Sequence, residues 1–144
     1  FFLKALQQSA DVRIAGIAEK SLKEVSYHLR RSGDLIVRLG DGSAESHRRI
    51  QHSAEQLWMY TGELFTADAL DVAMAQQGIA PDLTQLREDW LAHVREIFAE
   101  ATLTVPDPAA WMQSGGKTGR HSEHLGFLLA EMQFLQRAYP GSTW

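Results

Sequence analysis

The chain has 144 residues, 44% of them hydrophobic and 22% charged, with a formal net charge of −4 and no cysteine. That composition fits one globular domain with a core and excludes a disordered chain, disulfides, thiolate metal sites and a cysteine nucleophile. The acidic balance argues against a dedicated nucleic-acid binder, and with no membrane-length apolar run or signal peptide a cytoplasmic protein is expected.

Taken in chain order, the pattern is helical almost throughout. "FFLKALQQS" opens inside an apolar periodicity with no Ser, Thr, Asp or Asn ahead of it to cap a helix, so further helical sequence is expected before Phe1. Asp11 can cap a helix that runs to the Gly40–Asp41–Gly42 cluster, a length of ~43 Å at about 1.5 Å per residue. Ile14, Ala18, Ser21, Val25, His28, Ser32, Leu35 and Leu39 follow a 4-3 spacing along it, the seam of a bundled helix, with Gly33 a candidate kink. Ser43 caps the next helix, with Ile50, Ala54, Leu57, Thr61 and Leu64 inward. A short helix over 66–77 stops at Gly78. Asp82 and Gln85 have capping-box spacing before a helix whose expected buried face is Leu83, Leu86, Trp90, Val94, Ile97 and Ala101. A proline-containing loop, 104–119, leads to a last helix ending before Pro140. No alternating strand pattern competes, so the fold class is all-α.

Within that loop, "GGKTGRH" (115–121) has the dipeptide chemistry of a phosphate-binding loop. The pattern needs another glycine where Trp111 stands, and a buried strand leading in, whereas the approach here is "PDPAAWMQSG". A flexible turn before a helix is the expected role.

The last helix carries two apolar faces. Leu125, Leu128, Met132 and Leu135 form one, and His124, Phe127, Glu131 and Phe134 the other, with Glu131 the one charge between Leu125 and Gln136. A surface helix needs one such face, so the second implies a central core helix or a covering partner. We expect the leucine face inward and the partner on the other. The interface candidates are therefore Trp111, His124, Phe127, Glu131, Phe134 and Trp144, since Trp is enriched at interfaces.

Three tracts, "KSLKEVSYHLRRS", "RLGDGSAESHRRIQ" and "GGKTGRHSEHLGFLLAEMQFLQRAYPGSTW", resemble the C-terminal part of the family of C subunits of the bacterial phenylacetyl-CoA epoxidase (ring 1,2-phenylacetyl-CoA monooxygenase). The resemblance spans essentially the whole chain. It implies a ferritin-like helical bundle, with residues 1–144 the C-terminal portion of a single domain whose N-terminal helices are not included. It further implies a structural, non-catalytic subunit in aerobic phenylacetate catabolism. The partner it implies is the catalytic A subunit, which holds the diiron centre, and a second copy of this chain is the other candidate partner.

The residues test the catalytic question independently. A ferritin-like diiron site takes one Glu from each of two helices and a Glu-x-x-His pair from each of two others. No acidic residue in this chain has a histidine three positions later. The nearest approach is "KEVSYH": Glu24 would pair with Tyr27, and His28 with Val25, so one ligand is lost either way. We expect Glu24, Tyr27 and His28 to form a metal-free pseudo-site filled by hydrogen bonds or an ion pair, Lys20 or Lys23 contributing, with His28 in the core. No cofactor is expected in this chain, the diiron centre belonging to the partner.

Other polar groupings are weaker. His121 and His124 lack a full ligand set. His52 and Glu55 stand in reversed order, and Asp89 and His93 are one residue too far apart. The "HRR" at 47–49 could meet the phosphates of an acyl-CoA, although exposed arginines are ordinarily just solvated. Two classes remain: a non-catalytic scaffold subunit, and a diiron oxygenase subunit whose remaining ligands lie in the N-terminal part.

Overall fold

The computed structural model describes residues 1–143 and divides into two compact units, Phe1–Gln113 and the segment from Ser114 onward. Every regular element among the described residues is helical. The first unit holds α1 (Phe2–Leu6), α2 (Val12–Gly40), α3 (Ala44–Trp58), a 3-10 turn at Gly62–Phe65, α4 (Ala69–Gln76) and α5 (Leu83–Glu100). The second holds a 3-10 turn at Gly116–Thr118, α6 (His124–Met132) and α7 (Phe134–Ala138).

Side-chain caps fix the helix starts. The Asp11 carboxylate accepts the Arg13 and Ile14 N–H groups at 2.8 and 3.3 Å, opening α2. Ser43 and Ser46 exchange reciprocal bonds at the start of α3, and Asp68 and Asp71 do the same for α4. Asp82 opens α5 by accepting both the Thr84 hydroxyl (2.7 Å) and the Thr84 N–H (2.9 Å). Gln85 bonds the Asp82 carboxylate and not its backbone, and the carboxylate takes the Thr84 N–H and not that of Gln85, so the expected capping box is replaced by a simple cap.

The exits of α4 and α5 use the same device. After α4, Ile79 N–H reaches Met74 O and Gly78 N–H reaches Ala75 O, with Gly78 at φ +68°. After α5, Leu103 N–H reaches Phe98 O and Thr102 N–H reaches Ala99 O, with Thr102 at φ +57°. A β-branched residue in that left-handed position is strained, and nothing in the sequence marks it. Leu103 then buries against Phe98, the apolar contact that accompanies this motif.

The core sits where α2, α3 and α5 meet. Phe98, Ala101 and Leu103 are buried at its centre, packed by Ile36, Val37, Ile50, Ala54, Val94 and Val105. Close approach of α2 to α5 depends on two glycines one heptad apart. A Cβ at Gly33 would lie 3.1 Å from Ile97 Cδ1, and one at Gly40 would overlap the Ala101 carbonyl. Gly33 is thus a packing residue, and α2 runs through it unbroken. Beside this core, Trp90 lies 5.6 Å from Trp58 and 5.2 Å from Phe65 between ring centroids.

Two burial expectations change. The seam on α2 holds at Ile14, Ala18 and Ser21, then leaves the core: Val25, His28, Ser32 and Leu35 are exposed, and Gly33, Ile36, Val37 and Gly40 are covered instead. From Lys23 to Ser32 every face of α2 is exposed, so the seam loses its cover and not its phase, and the seam position Leu39 is half-buried again. On α3, Trp58 is buried while its neighbour Leu57 is exposed, and Leu64, beyond the helix end, is exposed as well. On α5 the expected face is covered and widened by Leu91 and Phe98.

The second unit corrects another expectation. Its helix is divided at Gln133 (φ −99°, ψ 2°), with no proline or glycine to account for the break. From His124 to Thr143 every residue except Leu125 is exposed, so Leu128, Met132 and Leu135 do not turn into a core. With only a 3-10 turn and α7 in the same unit, α6 has no surface there large enough to cover either face.

Candidate functional site

The pseudo-site residues lie on the middle turns of α2. Every residue from Lys23 to Ser32 is exposed, so nearly three turns of this helix pack against no other element of their unit. His28 Nε2 stands 3.8 Å from Glu24 Oε1 one turn away, their side chains 62% and 77% exposed. Tyr27 points aside, its ring edge-on to His28 at 6.1 Å and under the Arg30 guanidinium at 5.8 Å. An exposed pair such as Glu24–His28 contributes at most about 0.5 kcal/mol, and only when the imidazole is protonated.

The core position expected for His28 is therefore not what this chain gives it. The physical reason is that no element of the unit packs against α2 between Lys23 and Ser32, so no face of the helix is covered there. The ion-pair partner is also different: Glu24 meets His28, in place of Lys20 or Lys23. As a donor set, one carboxylate and one imidazole separated by 3.8 Å and open to water do not fit a diiron pair, which needs carboxylates from several helices. Among the described residues no three His, Asp or Glu side chains converge as metal ligands.

The other candidates separate as follows. Gly115 (φ +104°) and Gly119 (φ +88°) frame the Gly116–Thr118 turn, closed by Arg120 N–H and the Thr118 hydroxyl on Gly115 O. No strand leads into it, and the backbone is a turn rather than a phosphate cradle. In "HRR", Arg48 pairs with Glu45 at 2.6 Å and His47 Nδ1 bonds the Gly40 carbonyl at 2.8 Å, which leaves Arg49 beside a groove of about 370 Å³ with Ser46 and Ser53. His93 meets the Phe1 ring at a tilt, 5.8 Å between centroids, and shares with Asp89 and Lys4 a cleft of about 620 Å³ between α1 and α5. His124 is exposed, 4.0 Å from Glu123.

Of the interface candidates, Trp111, Phe127 and Phe134 are 70%, 73% and 63% exposed, and Glu131 is exposed beside them in sequence. Trp144 lies outside the described residues. The feature that sequence reasoning missed is the order of the segment after α5. The Gln51 side chain pairs with both backbone groups of Thr104, and the Trp58 indole N–H donates to Asp107 O. Apolar Leu103 after Phe98 is the available signal for how that segment starts.

Over residues 1–144 the chain matches the family described as phenylacetic acid catabolic protein. It is 47% identical over 139 residues to the C subunit of 1,2-phenylacetyl-CoA epoxidase from Escherichia coli (strain K12). That match covers 96% of this chain and 56% of the relative, so the chain spans a little over half of the relative's length. No described helix is long and apolar enough to cross a membrane. The whole-length family match and the all-helical architecture together place the chain: it belongs to the phenylacetic acid catabolic protein family, which is ferritin-like.

Proposed function

We propose that this chain is part of a subunit of a phenylacetyl-CoA epoxidase working in the cytoplasm in aerobic phenylacetate catabolism. Its role is structural: it supports the catalytic subunit that holds the diiron centre and does no oxygen chemistry itself. The observation that carries this is the 47% identity to the E. coli C subunit, in a chain with no Glu-x-x-His pair. The exposed Glu24–His28 pair supports the same reading, since its two donors do not make a metal-binding set.

The catalytic partner covers apolar surface that this chain leaves in water, the face of His124, Phe127, Glu131 and Phe134 being the prime candidate. A charged residue at Phe134 should then weaken association and leave the chain's own folding nearly unchanged.

The test is to purify the full-length protein by itself and with the catalytic subunit, then measure iron and turnover in each. Iron only in the complex, and turnover per assembled complex unchanged by Glu24→Ala or His28→Ala, is the expected result. Stoichiometric iron in the isolated full-length protein, lost with either substitution, would identify a catalytic diiron subunit with its other ligands elsewhere in the longer protein.

A further inference from the structure

We draw no further inference here: the strongest candidate, the apolar groove of about 230 Å³ walled by Ile36, Ile50, Leu57, Trp58 and Phe98 where α2, α3 and α5 meet, carries nothing because nothing in the structure shows what covers it.

Discussion

The meeting of α2, α3 and α5 and the α6–α7 segment differ in the opposite sense to their composition. α6 is nearly all apolar, reading HLGFLLAEM, yet only Leu125 is even half-buried. The core junction is built from a more polar sequence and relies on two glycines, an alanine and a handful of large side chains. Burial needs a complementary surface as much as an apolar residue, and the junction has three helices where the unit of α6 offers none of comparable size.

Paired substitutions would break or sharpen that contrast, the largest effects falling in the junction. Phe98→Ala should cost about 3–5 kcal/mol of unfolding free energy, against about 0.5 kcal/mol or less for Phe127→Ala, both read from denaturant midpoints. Equal effects would mean that α6 is packed in solution. Gly40→Ala should destabilise by about 3 kcal/mol, because the new Cβ has only the Ala101 backbone to displace. Gly126→Ala, with nothing within 4 Å of its added methyl, should stabilise by about 0.5–1 kcal/mol through helix propensity alone.

A smaller effect tests the strain at the edge of the junction. Thr102→Gly should stabilise by about 1 kcal/mol, since Gly78 shows glycine serving the same left-handed position after α4. Destabilisation would assign weight to the Thr102 hydroxyl, which lies 3.4 Å from both Gly40 O and His47 Nδ1.

The smallest effect is a pH dependence. The Asp82 carboxyl is held below its ordinary value of 3.8, chiefly by the Thr84 hydroxyl and then by the Thr84 N–H. A folded pKa below the unfolded one contributes stability above the unfolded value, and that contribution is lost as pH falls through the folded pKa. The loss should therefore fall below pH 3.8, and Thr84→Ala should move the Asp82 titration, followed by NMR, back up toward its ordinary position.

Much of the helical framework was legible because caps are local. Asp11, Ser43 and Asp82 each act within three residues, and the Gly78 stop is a one-residue signal. Facing is harder. A seven-residue repeat places His28 in the core, but nothing packs on any face of α2 from Lys23 to Ser32, and the repeat is covered again only at Leu39. Gly33 reads as a kink in sequence and as a contact with Ile97 in space, because only the partner helix distinguishes the two. The Thr102 exit is hidden because its residue type opposes its conformation. At the candidate site, the missing Glu-x-x-His pair is visible in sequence, whereas the outward setting of Glu24, Tyr27 and His28 depends on what α1, α3 and α5 leave uncovered.

The tether of α1 has a kinetic consequence. Ala10 N–H donates to Gly78 O at 2.8 Å, and Ser9 Oγ to Ile79 O at 2.7 Å across 70 residues of sequence. Those bonds require α2, α3 and α4 to have brought their ends together first, so loop-closure entropy makes them late contacts in folding. The opening of these two bonds should be the first step reversed in native-state hydrogen exchange. The Ala10 amide should exchange through that local opening, well ahead of the Leu103 amide bonded to Phe98 at the core.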